Sequence, residues 1–563
     1  MEECNIAIRW GNQNNADRTR IGAELTSSVH SYFQSNYDHH IYATNFKYGQ
    51  LMDDSTPILV GAGQFIEKDV PPEKALPPVG IAGEAAKAAL ADSGIGDRLS
   101  RHIDTVVSIR IILDSTNRPR LEIPFGRAEN PPRSVAQRIG ANPVSAIYGN
   151  VGGNTPQMYI NEVAERISNK EIDVALIAGS EAIKTAQLAL RSGLDLDWDE
   201  EDTGSMEDRG LGEELITPHE FAHGIGVPVQ SYPLFENAFR AQQGNSIELH
   251  MQQLGALFEP FSKVAARNPF AFFGKQRSAE ELITVTPENR FICFPYPKWM
   301  NAMDGVNQGA AVIMTSVGKA KELAINPQKW IFLHGSGEAN DKLTMSKRVN
   351  YYSAPALKLN VKKALAMAGK KVDEIDYFDI YSCFPSAVEI ACNELGLAYN
   401  DPRGLTVTGG LPFFGGPGNN YSLHAVAAMI PLLRADRTRF GLVTANGGYL
   451  SKHATGIYSA TPWESKWRRE NPADYQCEID ETPSPEFSEI PNGNATIETY
   501  TICFNKGVAE RGIIVGRLAD SGQRFVANTI VKPELLQGMI EKEQVGRTGT
   551  VSHSEGMNTF IPF

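Results

Sequence analysis

The feature that most constrains this chain is an internal repeat. Gly149-Asn-Val-Gly-Gly-Asn154, a helical stretch and the apolar run Val174-Ala-Leu-Ile-Ala-Gly179 recur, without gaps, as Gly415-Gly-Pro-Gly-Asn-Asn420, a helical stretch and Phe440-Gly-Leu-Val-Thr-Ala445. A second pair supports the first. Lys87-Ala-Ala-Leu-Ala-Asp-Ser-Gly94 followed by Ile103-Asp-Thr-Val-Val107 is similar to Lys363-Ala-Leu-Ala-Met-Ala-Gly369 followed by Ile375-Asp-Tyr-Phe378. A chain that repeats a strand, a Gly/Asn turn and a helix in one order is built from two like α/β halves.

The boundaries follow from texture. Residues 1–54 are rich in Asn, Gln, His and Tyr without periodicity and read as a disordered extension. The first half spans 55–328 and the second 329–462. In the first half a helix is expected over 83–93, stopped by Gly94, then a strand at 104–109, a helix at 157–167 and a buried strand at 174–178. Its excess length lies at about 183–290, an acidic run followed by a His-, Phe- and Gln-rich amphipathic stretch, read as a helical lid over the edge of the sheet. After Glu481-Thr-Pro-Ser-Pro485 three β-type runs with Gly and Asn breaks mark a small additional β domain over 475–563.

Composition narrows the partners. The 563 residues carry 53 Lys and Arg against 66 Asp and Glu, a formal charge of −13, which opposes a phosphate-backbone binder; nucleic acid is excluded as the expected partner. The six cysteines show no CxxC pairing, so neither a zinc site nor a disulfide framework is indicated. The longest apolar stretch, residues 423–433, falls short of the ~20 residues that span a bilayer. With no signal-peptide pattern at the start and no Ser-Lys-Leu address at the end, a cytoplasmic location is expected, a peroxisomal one being left open. The acids between Asp195 and Asp202 lack the spacing of a metal loop, and no metal is expected.

Each half carries its Gly/Asn turn between a strand and a helix, so backbone N–H groups and the positive end of a helix converge there. Such a turn suits an oxyanion or a thioester carbonyl; plain packing is the alternative. Asn154, Asn419 and Asn420 flank the turns and read as turn-formers.

Taken together, Gly61-Ala-Gly-Gln-Phe65, Asp304-Gly-Val-Asn-Gln-Gly-Ala-Ala311, Tyr381-Ser-Cys-Phe384, Gly409-Gly-Leu-Pro-Phe-Phe-Gly-Gly-Pro417 and Asn446-Gly-Gly448 resemble the thiolase superfamily, in the branch near the sterol-carrier-protein thiolases and the thiolase-like proteins with an additional C-terminal domain. The resemblance covers residues 56–462. It implies an α/β chain with a duplicated thiolase fold in five αβαβα layers, a helical lid insertion, a small C-terminal β domain, and a coenzyme A thioester as substrate or ligand between the halves, with no tightly bound cofactor. A homodimer is left open.

The resemblance also locates the departures. Where thiolases place the acylated cysteine stands Val151, which has no nucleophilic atom. The histidine of their Gly-His-Pro segment becomes Gly416, and the second cysteine becomes Ala445, two residues before Gly447. The Asn-Glu-Ala-Phe segment reads Tyr381-Ser-Cys-Phe384. Backbone remains: the turns at Val151, Gly152, Gly416 and Gly447 are the candidate thioester-binding positions. Tyr381 is the candidate proton donor or acceptor, and His453, after the loop expected to reach the cleft, is its candidate partner. His424 reads as a packed, hydrogen-bonded histidine and Cys383 as a small buried apolar residue. Lys263, Arg267, Lys275 and Arg277 lie within fifteen residues of one another and are the candidate partners of the coenzyme A phosphates, a solvated helix face being the alternative. Two functions stand at this point. One is acyl transfer or carbon–carbon bond chemistry on acyl-CoA without an acyl-cysteine; the other is non-catalytic binding of a CoA ester.

Overall fold

The computed structural model describes residues 52–115, 125–202 and 204–563. The extension expected over residues 1–54 lies outside them, apart from residues 52–54.

Twelve strands build the repeated part and its insertion: β1 (Pro57–Ile66), β2 (Thr105–Ser108), β3 (Ser145–Tyr148), β4 (Val174–Ala182), β5 (Glu207–Asp208), β6 (Phe291–Cys293), β7 (Tyr296–Pro297), β8 (Asn307–Ser316), β9 (Ile331–Asn340), β10 (Tyr377–Asp379), β11 (Phe440–Gly447) and β12 (Lys452–Ser459). Ten of them form one sheet in the order β10-β11-β12-β9-β1-β8-β4-β2-β3-β5. Read outward from its centre, the sheet repeats itself. On one side β1 pairs antiparallel with β8, β8 antiparallel with β4, and β4 parallel with β2. On the other β9 pairs antiparallel with β12, β12 antiparallel with β11, and β11 parallel with β10. The halves join where Ile58 faces Phe332 and Leu59 faces Ile331. Strands buried on both faces read as continuous apolar runs, as β4 and β11 do.

Helices α1 (Pro78–Asp92), α2 (Thr155–Ser168), α3 (Pro228–Gln242), α4 (Ile247–Ala265), α5 (Pro355–Ala368), α6 (Pro385–Leu395) and α7 (Tyr421–Ala435) carry the packing. The outer helices α1 and α5 lie on their own halves, while α2 and α7 touch each other and strands of both, which makes five layers. Glycine sets how closely the outer helices approach. A Cβ at Gly61 or Gly63 would overlap the backbone of Ala89 or Ala85 in α1, and one at Gly335 or Gly337 would overlap Ala364 or Asn360 in α5. The repeat thus extends to the strand glycines that admit a helix backbone. Gly369 ends α5 in left-handed geometry at φ 61°.

The insertion crosses to the other half. Instead of covering the edge of its own sheet, α3 packs against α6 of the second half and, with α4, joins the apolar core that contains Phe384, Leu411 and Phe413.

The last five strands are β13 (Gly493–Asn505), β14 (Val508–Leu518), β15 (Arg524–Thr529), β16 (Thr548–Ser554) and β17 (Met557–Pro562). They close into a ring, β13-β14-β15-β17-β16 and back to β13, with β15 and β17 parallel and a helix, Pro533–Glu541, between β15 and β16. That connectivity is an OB-type barrel. Alternation divides its strands: Ile514, Phe525 and Ala527 fill the barrel, whereas Ile513, Val515 and Val526 face outward into the core shared with α3 and α4. The face of β14 and β15, where barrels of this kind commonly take ligands, is spent on docking. Polar ties reinforce it: Thr499 Oγ1 donates to the Leu234 carbonyl at 2.5 Å, Asn237 Nδ2 to Tyr500 at 2.9 Å, and β6 pairs with β13. Among the described residues no helix is long and apolar enough to cross a membrane.

Candidate active site

The two repeated turns meet at the starts of α2 and α7, and the second half closes the first. Asn419 reaches across so that its Oδ1 accepts the Gly152 N–H at 3.1 Å, while its Nδ2 donates to the Arg110 carbonyl at 2.8 Å and to Ser115 Oγ at 3.0 Å. Asn420 Nδ2 donates to the Gly179 carbonyl at 2.7 Å and Ser422 Oγ to that of Gly153 at 3.0 Å. These asparagines are more than turn-formers: they stitch the halves. Arg110 Nε braces the first turn at the Gly149 carbonyl, 2.8 Å away, and the Tyr159 hydroxyl donates to Asn150 Oδ1 at 2.8 Å.

The loop between β11 and β12 supplies the third side. Lys452 and His453 are consecutive on β12, so their side chains leave opposite faces. Lys452 Nζ donates to the Val151 carbonyl at 3.1 Å, at the tip of the first turn, and the residue is 6% exposed. Gly212, on a loop after β5, lies above it; a Cβ there would stand 3.7 Å from both Lys452 Nζ and Asn150 Nδ2. Tyr381, at the end of β10, is held by its own N–H on Thr444 Oγ1 at 2.9 Å. Its hydroxyl lies against Gly153, where any side chain would collide with it and with the Asn446 carbonyl. The insertion contributes as well: the Tyr232 hydroxyl of α3 accepts from Asn446 Nδ2 at 2.9 Å and from the Leu450 N–H at 3.1 Å, and its ring stacks on Phe384 with centroids 4.4 Å apart.

Several expectations are corrected here. The Gly152 amide is not a free oxyanion donor, because Asn419 holds it. Nor is that of Gly416, which donates to the Met303 carbonyl at 2.8 Å. The Gly447 position is not altered in this way: the Asn154 side chain stands where a Cβ would be, so only glycine fits there. His453 does not face Val151. Its Nε2–H donates to the Leu450 carbonyl at 3.1 Å, and with Tyr381 it lines a cavity of about 10 Å³, room for one water and no more. Of the basic residues, Lys263 is paired with Glu259 at 2.5 Å and Arg277 lies flat over the Trp299 ring at 3.3 Å, which leaves Arg267 and Lys275 exposed. The loop carrying Lys275 is pinned to the second turn, with the Phe272 N–H on the Phe414 carbonyl at 2.6 Å. Phe413 packs on Phe258 of α4, and Phe414 on Tyr421 and His424, away from Gly153. His424 is packed and bonded, Nδ1 to Gln64 Oε1 at 2.8 Å.

Burial sets the protonation states. It pushes the Tyr381 phenol far above its usual range, so the hydroxyl stays protonated. It brings His453 down to about 3, leaving the imidazole neutral. It lowers Lys452, with Glu213 acting in the opposite sense. The Cys383 thiol, 3.9 Å from Asn446 Nδ2, is pushed up to about 12 by burial and is no thiolate. Away from the turns, Glu236, His250 and Glu389 bring ligand-type atoms within 4.8 Å of one another, all buried. They act as a tie between α3, α4 and α6: His250 Nε2 bonds Glu236 Oε1 at 2.5 Å and the Tyr296 hydroxyl donates to Glu236 Oε2 at 2.6 Å.

Sequence reading missed Lys452 and Tyr232, and took Asn419 for a turn-former only. Lys452 did leave a signal: it is the one Lys, Arg, Asp or Glu in the run from 449 to 460.

Residues 474–556 match the family model for the thiolase-like protein type 1 additional C-terminal domain. The chain is similar to the monomeric SCP2-thiolase-like protein type 1 from Mycobacterium smegmatis, at 38% identity and a TM-score of 0.78, covering 91% of this chain and 100% of that one. The fold is shared with the Ltp2-ChsH2(DUF35) aldolase, at 18% identity and a TM-score of 0.51 over 72% of this chain and 98% of that one. Among curated proteins, the acetyl-CoA acetyltransferase of Methanocaldococcus jannaschii is 21% identical over 48% of this chain, a match that spans 62% of the relative's length.

Proposed function

Since the chain belongs to the SCP2-thiolase-like proteins of type 1, we propose that it binds a coenzyme A thioester where its two turns meet and makes or breaks a carbon–carbon bond, or transfers the acyl group, without an acyl-cysteine. One observation carries this reading: beside the first turn stand the protonated Tyr381 hydroxyl, against Gly153, and the buried Lys452 amine, at the Val151 carbonyl, while the Cys383 thiol stays protonated. A phenol held protonated can donate a hydrogen bond to the oxygen of a polarised thioester or of the enolate derived from it, a service that aldol- or Claisen-type chemistry can use without a covalent sulfur intermediate. Arg267 and Lys275, exposed beside the second turn, are the residues for the coenzyme A phosphates. His453 keeps a supporting place as the neutral acceptor on the water-sized cavity behind Tyr381.

A second reading, a CoA-ester binder without chemistry, is favoured by the bond from the Gly152 amide to Asn419, since a turn that spends its amide internally offers less to a transition state. The test is a panel of acyl-CoA esters followed for free CoA and for ketone or aldehyde products, run beside Tyr381→Phe. Product formation that the variant loses supports catalysis. Binding with no product from any ester supports the second reading.

A further inference from the structure

Building on the thioester reading above, we propose that Lys452 binds the acyl oxygen of the thioester, taking the place of the main-chain donors at Gly152 and Gly416, which are used internally. Two of the turn amides are already committed: Gly152 gives its proton to Asn419 Oδ1 and Gly416 to the Met303 carbonyl. Positive charge at the same point comes from Lys452, whose Nζ lies 3.1 Å from the carbonyl of Val151. An ammonium carries three donors. One is satisfied by that carbonyl, and among the described residues Lys452 forms no ion pair with a carboxylate; Glu213, on the covering loop, is the charged group that acts on it.

Burying an ammonium without a paired carboxylate is costly, and the cost falls when a ligand oxygen completes its hydrogen bonding. Gly212 covers Nζ with no side chain of its own, and Val151 and Asn150 beside it are half-buried instead of sealed. In a site of low dielectric a charged donor aimed at a carbonyl oxygen strengthens as that oxygen gains charge, the service a pair of amides would otherwise supply. The ligand class is therefore an acyl thioester whose carbonyl points at the tip of the first turn, and the same donor would hold the enolate derived from it.

The experiment measures, on the full chain, the affinities of butyryl-CoA and of S-butyl-CoA, the thioether that lacks the carbonyl oxygen. The wild type is expected to prefer the thioester by roughly tenfold or more, the effect of one charge-assisted hydrogen bond. Lys452→Met is expected to bring the ratio close to one while leaving S-butyl-CoA affinity unchanged, and Lys452→Arg to keep part of it. The wild-type preference should fade with rising pH at values below the ordinary lysine range, a change that a merely structural lysine would not produce. If Lys452→Met does not fold, Lys452→Arg and this pH profile carry the test. A ratio near one in the wild type, or an undiminished ratio in Lys452→Met, overturns the assignment and leaves the thioester reading standing. Binding of neither compound by the wild type overturns that reading, and the assignment with it.

Discussion

Asn419 of the second half accepts the Gly152 N–H of the first at 3.1 Å, so the turn that the fold would offer to a substrate is held shut by the protein's own repeat. Removing the side chain leaves the Gly152 N–H, the Arg110 carbonyl and Ser115 Oγ short of partners. Asn419→Ala should lose about 1–3 kcal/mol of stability in denaturant unfolding, the cost of a buried group left unpaired. A loss no larger than that of an exposed asparagine would show that the bridge carries no weight.

Tyr381 is predicted to act through its hydroxyl. Tyr381→Phe keeps the ring packed on Tyr421 and should fold normally. Its turnover with the best acyl-CoA should fall by about 10²–10³ in steady-state kinetics, the range for a lost hydrogen-bond donor to a developing oxyanion. Gly153→Ala, which drives a methyl into that hydroxyl, should lose activity and cost about 1–3 kcal/mol as an overpacked site.

The strand glycines test the duplication. Gly63→Ala and Gly337→Ala each force a Cβ into the backbone of an outer helix, Ala85 in one half and Asn360 in the other. Both should lower the unfolding free energy by about 1–3 kcal/mol or more, since backbone yields less than a side chain. A large effect in one half and none in the other would contradict equal packing.

Glu389 gives a prediction in pH. Burial and the charge of Glu236 hold its carboxyl well above the usual range, so the folded state keeps a proton that the unfolded chain releases near 4.5. Stability from this group is full below that value and is lost as pH rises toward the folded-state pKa. Glutamine mimics the protonated acid and escapes the loss. Glu389→Gln should therefore raise the melting temperature relative to the wild type at pH 8 and by less at pH 5; a lower melting temperature at pH 8 would contradict the assignment.

The fold was legible because both halves wrote the same turn. Gly149–Asn154 and Gly415–Asn420 announced two strand–turn–helix units, and their strands fall in mirrored order about the β1–β9 joint. The placement of the insertion was not legible, since which half α3 covers depends on contacts with α6 that no local pattern encodes. At the site, the motifs led to Tyr381 and to the vacant cysteine position at Val151. They could not lead to Lys452, whose importance lies in a strand register that aims one side chain at a distant carbonyl and its neighbour His453 away from it. The free amides expected at Gly152 and Gly416 failed for a related reason: a glycine in a turn shows that the backbone is reachable, not whether another residue has already reached it.

The central claim is thioester chemistry without sulfur covalency. It is tested most directly by intact-protein mass spectrometry on enzyme quenched while turning over an acyl-CoA that yields product. The account predicts product in solution and a protein of unmodified mass, with all six cysteines still free. An acyl group trapped on any of the six during turnover would contradict it.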